Sequence, residues 1–130
     1  MVGSVNSYRE LIVWQKAMDF AEGVYRVTEH FPKGEQFGLV SQLMRAAVSI
    51  PSNIAEGLGR DTVRDYSHFL VLAKGSLNEV MTQLELAVRL GYLKSGSGLY
   101  EVSCEIGKML NAMIRRLRSR TDDNDKKEDF

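Results

Sequence analysis

Apolar residues recur every three or four positions in four separate stretches of the chain, and this spacing constrains the fold more than any other feature. Side chains three and four residues apart share one face of an α-helix, so each stretch predicts a helix with an apolar face. Strand signals, in contrast, are nearly absent. The positions are Leu11, Trp14, Met18, Ala21 and Tyr25; then Leu39, Leu43, Ala46, Ile50 and Ile54; then Tyr66, Leu70, Ala73, Leu77, Val80, Leu84 and Ala87; and last Leu99, Val102, Ile106, Leu110, Met113 and Leu117.

Short breaks separate these four predicted helices. The segment Pro32-Lys33-Gly34 ends the first, and the serine- and glycine-rich segment 94–98 follows the third. Helices joined by short connections pack as antiparallel neighbours. The sequence therefore predicts an all-α, antiparallel up-down-up-down four-helix bundle, a single domain within residues 1–120. We expect the charged tail at residues 121–130 to be disordered.

Charge and cysteine content narrow the class of protein. The chain has 17 basic and 17 acidic residues, a formal net charge of +0 that does not by itself point to nucleic acid. The tail holds five acids and two lysines, which leaves residues 1–120 with 15 basic and 12 acidic residues, a net +3. A lone Cys104 excludes an internal disulfide and fits a reducing compartment. No stretch approaches the roughly 18 apolar residues of a membrane span. We expect a cytoplasmic protein.

The second predicted helix carries a polar stripe beside its apolar face. At 100° per residue, the stripe is centred roughly 100° from Ile50, so it flanks the core instead of opposing it. Such positions pack against a neighbouring helix or a partner chain, and we expect them to be half-buried and hydrogen-bonded. The stripe consists of Gln42, Arg45, Ser49, Asn53, Glu56 and Arg60.

The third helix runs back from about residue 60, so it should bring its own polar residues to this stripe. The stripe is therefore predicted to shape packing, and a ligand-binding or catalytic role is the less favoured alternative. The expected contacts are an ion pair between Arg45 and Glu79, with Glu22 as the competing partner; proximity of Asn53 to His68; and a close approach of the helices at Ser49 and Ser76.

Pro51 interrupts the same helix on the side away from the stripe. It cannot donate a backbone hydrogen bond to the Ala47 carbonyl, and an interior proline costs about 3 kcal/mol. We expect the second helix to bend at this residue.

Residues that commonly carry catalysis or bind metals are scarce. His30 and His68 have no Cys or acidic neighbour at metal-ligand spacing, and Cys104 in a helix interior is more typical of a small apolar residue than of a nucleophile. The inward-facing Glu-x-x-His pairs of carboxylate metal sites in bundles are missing. We expect a protein that is not an enzyme, with no metal, cofactor or small-molecule substrate. An enzyme remains the alternative only if His68 and carboxylates of the stripe converge in a pocket.

A group of four arginines near the end of the fourth helix is the one pointer to a charged partner. Arginines at a helix C-terminus suit the helix dipole and can simply be solvated. They can also contact phosphates, which would make binding depend on salt. The acidic tail that follows would compete for them. These candidate nucleic-acid contacts are Arg115, Arg116, Arg118 and Arg120.

Three segments carry a family resemblance. They are QLMRAAVSIPSNIAEGLGR at 42–60, FLVLAKGSLNEVMTQLELA at 69–87 and GYL at 91–93. With them the chain resembles, over about residues 8–118, the four-helix-bundle proteins encoded in bacterial 23S rRNA intervening sequences. It is also similar to the accessory variability proteins of diversity-generating retroelements.

The resemblance implies a four-helix protomer that assembles into a homopentamer, with no catalytic residues to carry over. The retroelement branch binds a reverse transcriptase and nucleic acid through basic surfaces; the net charge and the acidic tail of this chain depart from that branch. The residues that match the shared motif form what we call the seam, and they are interpreted as packing or assembly positions. The seam consists of Gln42, Arg45, Ser49, Asn53, Glu56, Gly57, Ser76 and Glu79.

The favoured hypothesis is thus a non-enzymatic homo-oligomer of the intervening-sequence type that contacts RNA, and the alternative is an accessory protein for a reverse transcriptase. Apolar residues beyond the narrow helix faces suggest a surface to bury between chains. Those residues are Phe20, Val24, Val27 and Phe31 of the first helix and Phe69, Leu72 and Val88 of the third.

Overall fold

Four long α-helices make up most of the chain. The computed structural model describes the backbone of residues 7–95 and 97–128 and the side chains of residues 7–95 and 97–121. No strand occurs in the part of the chain that it describes, so the predicted all-α four-helix bundle is confirmed. The helices are α1 (Ile12–Thr28), α2 (Leu39–Leu58), α3 (Val63–Arg89) and α4 (Leu99–Glu128), with short 3-10 turns at Tyr8–Glu10 and Lys33–Glu35.

Each helix packs against two others, in the order α1, α2, α3, α4 and back to α1. Between α2 and α3 the contacts run in opposite chain directions, because Gln42 meets Gln83 and the later Ser49 meets the earlier Ser76. The antiparallel course of all four helices and the bend at Pro51 stay predictions; α2 continues as one helix from Leu39 to Leu58.

The apolar faces of α2, α3 and α4 are buried as their spacing predicts, and Ile50, Leu70 and Leu110 are fully enclosed. The first helix differs. Its core stripe is formed by Val13, Ala17, Phe20 and Val24, whereas Met18 and Tyr25 remain 44% and 42% exposed.

This arrangement corrects the prediction for the outer surface of α1. Phe20 and Val24 belong to the core, where they are 1% and 0% exposed, and cannot contact a partner chain. Two overlapping apolar stripes run along α1. The bundle buries the stripe that contains Phe20 and Val24, which the sequence had suggested lay outside the core-facing stripe. Of the predicted apolar stripe of α1, Met18 and Tyr25 are left at the surface.

The two ends of α3 follow local sequence signals. Thr62 caps α3, its side-chain oxygen accepting a hydrogen bond from the Asp65 backbone N–H at 3.1 Å. Gly91, with φ of 79°, adopts the left-handed conformation that closes the other end. The helical backbone of α4 runs on to Glu128, past Ser119 where the apolar pattern stops. The boundary between domain and tail at residue 120 stays a prediction. Among the described residues, no helix is both long and apolar enough to cross a bilayer.

Candidate functional site

The centre of the seam is a set of hydrogen bonds between α2 and α3. The hydroxyl oxygens of Ser49 and Ser76 lie 2.7 Å apart. The Asn53 side-chain amide donates to the Ser49 carbonyl at 2.8 Å and to the Ser49 hydroxyl at 2.9 Å. Asn53 thus forms its hydrogen bonds with Ser49, and its proximity to His68 stays a prediction. The expected close approach of the helices at Ser49 and Ser76 is observed.

Gly57 marks a second close approach of α2 and α3. It is buried, and a Cβ added there would lie 2.8 Å from the Phe69 Cβ and 3.1 Å from Tyr66 Cδ1. Beside it Glu56 accepts a hydrogen bond from Arg60 at 2.8 Å, and the Arg60 guanidinium lies 4.5 Å from the Phe69 ring centroid. A residue without a side chain is needed here because the backbone of α2 rests on α3.

The charged edge of the seam does not form the predicted ion pair. Arg45 and Glu79 are both exposed, and the described residues form no ion pair between them. Glu22 is paired with Arg26, at 2.7 Å, and not with Arg45. Arg45 lies about 40° further round α2 than Ser49, which turns it from the helix contact toward solvent. The prediction was wrong because it treated a broad stripe as a single line.

Near the start of α2, the polar groups of the seam form weaker and fewer hydrogen bonds. Gln83 Nε2 donates to Gln42 Oε1 at 3.5 Å, a long hydrogen bond. Gln83 Oε1 is buried and has no hydrogen-bond partner within the described structure. The helices thus approach closely at Ser49 and Gly57, whereas the hydrogen bonding at Gln42 is weak.

Pro51 lies on the other side of α2 and is buried. It lines a groove of about 850 Å³ between α1 and α2. Most of the lining is apolar, and Met18, Tyr25 and Val48 are each more than 40% exposed. We call this surface the α1–α2 groove. Its lining residues are Tyr8, Trp14, Gln15, Met18, Asp19, Ala21, Glu22, Tyr25, Val48, Pro51, Ser52 and Ala55.

The four candidate arginines do not form one cluster. Arg118 lies about 60° round α4 from Arg115 in one direction, whereas Arg116 and Arg120 lie about 100° and 140° away in the other. Arg115 and Arg118 face α3. Arg116 and Arg120 line a small hollow on the opposite side with Leu11, Leu58, Tyr66, Met113 and Leu117.

The pKa of Tyr66 responds to the positive charge in that hollow. Burial raises the pKa of its phenol from the ordinary value of 10.0, and the positive charge of Arg116 acts against that rise. Arg116 is exposed, but it lies close enough to the Tyr66 phenol to affect its pKa.

The other pair, Arg115 and Arg118, lines a shallow groove between α3 and α4 that we call the α3–α4 groove. It consists of two adjoining depressions of about 500 and 390 Å³, which share Val71 and Arg118. None of the described residues that line it is Asp or Glu. The lining residues are Arg64, Ser67, His68, Val71, Lys74, Lys108, Asn111, Ile114, Arg115, Arg118 and Thr121.

Four of the cations that line this groove have no ion-pair partner among the described residues. Lys74, Lys108, Arg115 and Arg118 form no ion pair with any other described residue. The two lysines were missed by sequence reasoning because they stand outside the run of arginines. For Lys108 spacing was an available signal, since 108, 111, 115 and 118 step by three, four and three residues; Lys74 lies on another helix and has no such signal.

The groups considered for catalysis stay apart. His68 is exposed, packs edge-on against Phe69 with ring centroids 5.9 Å apart, and shares its depression with neither Glu56 nor Glu79. Among the described residues no three His, Cys, Asp or Glu side chains are grouped to hold a metal ion.

Cys104, which was expected to act as a small apolar residue and not as a nucleophile, is exposed. A hydrogen bond with its thiol is the main cause that raises the pKa of Tyr100. The cysteine lies on the outer side of α4, where it packs against no apolar core.

Fold and surface together define the class of protein: an all-α four-helix bundle whose inner polar residues bond to one another and whose surface gathers cations on one side. More particularly, the chain belongs to the family of 23S rRNA-intervening sequence proteins, whose family model matches residues 9–112. The resemblance drawn from residues 42–60 and 69–87 is therefore confirmed.

A solved structure supports the same assignment. A protein of unknown function from the S23 ribosomal protein family of Bacteroides thetaiotaomicron VPI-5482 is 27% identical, with a TM-score of 0.72. The similarity covers 79% of this chain and 98% of that chain. No curated protein matches. Neither of the two matching names mentions a reverse transcriptase, so the alternative of an accessory protein for such an enzyme gains no support from them.

Proposed function

We propose that this protein is a non-enzymatic, RNA-binding helical bundle that works as a homo-oligomer, with five chains as the number that the family resemblance implies. The observation that carries the RNA-binding part is the α3–α4 groove, where two arginines and two lysines gather and none of the described lining residues is Asp or Glu. Guanidinium and ammonium groups are the usual protein partners of phosphate. A net charge of zero for the whole chain does not oppose this, because charge acts locally when salt screens it over about 10 Å.

A binding role also fits the way the seam uses its polar groups. Ser49, Asn53 and Ser76 direct their side chains to one another, so these groups stabilise the contact of α2 with α3. RNA of the ribosome is met in the cytoplasm, and we propose that the protein acts there.

RNA binding is tested with a fluorescein-labelled fragment of 23S rRNA, by anisotropy at increasing salt. We expect the R115A/R118A variant to bind more weakly and to lower the slope of log affinity against log salt by about one for each lost phosphate contact. The R116A/R120A variant removes the same charge on the other side of α4 and should bind nearly as the wild type. Equal losses in the two variants would show that general charge and not the groove attracts RNA, and unchanged affinity in both would reject these arginines as contacts.

The α1–α2 groove supports the proposal of self-assembly. Exposed apolar side chains gathered along one groove are typical of surfaces that associate, and Met18, Tyr25 and Val48 line this one. A second copy of the chain is the partner that the family resemblance implies. Apolar burial would then favour association.

Light scattering at micromolar concentration measures the assembly directly. We expect a mass near five times the 14.7 kDa of one chain. Val48→Glu places a charge in the α1–α2 groove and should lower that mass while leaving the helical circular dichroism unchanged. Leu86→Glu, at a site of α3 that is 47% exposed and lies outside the groove, is the matched control and should assemble normally. A wild-type monomer would overturn self-assembly, and dissociation by Leu86→Glu alone would move the contact to another surface.

A further inference from the structure

Two stripes of residues, polar except for Val71, face each other across the α3–α4 groove with the same spacing. On α3 the lining residues Arg64, Ser67, Val71 and Lys74 step by three, four and three positions. On α4 the lining residues Lys108, Asn111, Arg115 and Arg118 repeat that step. At about 1.5 Å per residue each stripe runs for about 15 Å along its helix. The groove is thus an elongated track and not a pocket for a small molecule.

The chemistry along this track is that of hydrogen-bond donors. Lys74 and Lys108 contribute ammonium groups, Arg115 and Arg118 contribute guanidinium groups, and Asn111 adds an amide between them. Ammonium and guanidinium groups donate but cannot accept, so oxygens that carry negative charge are the groups they would take up. A row of such donors fits the phosphates of a nucleic-acid backbone.

Side chains on which unpaired bases stack are missing from the track. None of the described lining residues is Phe, Tyr or Trp, and the one imidazole, His68, is packed edge-on against Phe69 at the end of the groove. Proteins that hold single strands use aromatic side chains as stacking platforms. Proteins that hold double-stranded RNA contact its phosphates and 2′-hydroxyl groups and need no such platform.

We propose that the α3–α4 groove binds the sugar-phosphate backbone of a paired RNA stem. The contacts are made by Lys74 on α3 and by Lys108, Arg115 and Arg118 on α4. This rests on the proposed RNA-binding function and deepens it, because it names the form of RNA and adds two lysines to the contact. Recognition by this groove is of the stem's shape and charge and is independent of base sequence.

The test measures how three labelled probes bind to the full-length protein over one series of salt concentrations: a perfectly paired RNA hairpin, an unstructured single-stranded RNA of equal length, and a DNA hairpin of the same sequence. We expect the RNA hairpin to bind at least about tenfold more tightly than the single strand, because the described lining of the groove offers no Phe, Tyr or Trp ring on which the bases of a single strand could stack. The K74A/K108A variant should lose affinity for the RNA hairpin and lower its salt slope by about two. The matched control is K33A/K94A, which removes the same charge from exposed positions outside the groove and should bind as the wild type.

The possible results distinguish a failure of this inference from a failure of the proposed RNA-binding function. Equal binding of hairpin and single strand, with loss in K74A/K108A, would overturn the preference for a stem and leave RNA binding by the groove intact. Unchanged affinity in K74A/K108A and in R115A/R118A would overturn the groove while RNA binding elsewhere stands. Equal affinity for the DNA hairpin would overturn RNA as the ligand. No binding of any probe would overturn the proposed function itself. Circular dichroism of each variant checks that the fold is retained.

Discussion

Helix α3 presents polar residues to both of its neighbours, and the two sides are built differently. Toward α2, the Ser76 hydroxyl oxygen lies 2.7 Å from that of Ser49, which also accepts a hydrogen bond from the Asn53 amide. Toward α4, Lys74 stands opposite Lys108 and Arg115 in a groove whose described lining holds no carboxylate. Toward α2, the side chains of Ser49, Asn53 and Ser76 satisfy one another's hydrogen-bonding groups, whereas toward α4 Lys74 forms no ion pair with another described residue.

The difference teaches where function is to be sought in a bundle of this kind. Buried polar groups must find partners, because an unsatisfied one costs about 1–3 kcal/mol, so a dense polar motif between helices often serves packing. Solvated cations carry no such requirement and stay available to a ligand. Variants of the seam should therefore change stability without changing RNA binding, and variants of the α3–α4 groove should do the reverse.

The largest effect on stability is expected from Gly57→Ala. The new Cβ would lie 2.8 Å from the Phe69 Cβ and 3.3 Å from the Tyr66 carbonyl oxygen, so the helices must move apart. Overpacking of this kind costs about 1–3 kcal/mol, against at most about 1 kcal/mol gained from the better helix propensity of alanine. Urea unfolding at a fixed protein concentration should show a net loss of stability, and the salt slope of RNA binding should stay the same.

Gly75→Ala is the matched control for that substitution. It lies in α3, the helix that Gly57 touches, but a Cβ at Gly75 would meet nothing within 4 Å. The variant should gain about 0.5–1 kcal/mol of stability from reduced backbone freedom. Similar losses in both glycine variants would show that the contact at Gly57 is not what matters, and would weaken the distinction between a packed seam and an open groove.

The sequence sufficed for the fold because helical periodicity is a local signal. The apolar steps through Ile50, Leu70 and Leu110 recur over several turns, and each of these side chains is fully buried. In α1 the same reasoning selected the wrong register. Residues such as Met18 and Phe20 belong to two overlapping apolar stripes, and only packing against α2 and α4 decides which one becomes the core.

The candidate sites were predictable only where they lay in one short motif. The approach of Ser49 to Ser76 followed from small residues on facing helices, whereas the Arg45–Glu79 pair failed because Arg45 turns about 40° further from the contact. The α3–α4 groove escaped sequence reasoning. Lys74 and Lys108 stand on different helices, and nothing in the local sequence of either residue shows that they line one surface.

A smaller effect is expected from Ser49→Ala and Ser76→Ala, which test the inner side of the comparison. Each substitution removes the hydrogen bond between the two hydroxyls, so each should cost about 1 kcal/mol. In Ser49→Ala the Ser76 hydroxyl loses this partner, whereas in Ser76→Ala the Ser49 hydroxyl still accepts a hydrogen bond from Asn53 at 2.9 Å. Asn53 keeps the Ser49 carbonyl as an acceptor at 2.8 Å in either variant.

The double variant provides the control. With both hydroxyls gone no group is left unpaired, so S49A/S76A should cost less than the sum of the single variants. Urea unfolding of the four proteins measures this coupling, and anisotropy with the RNA hairpin should give one affinity for all of them. Additive losses would mean that the two serines act separately. A fall in RNA affinity would make the seam part of the binding surface and abolish the division between the two sides of α3.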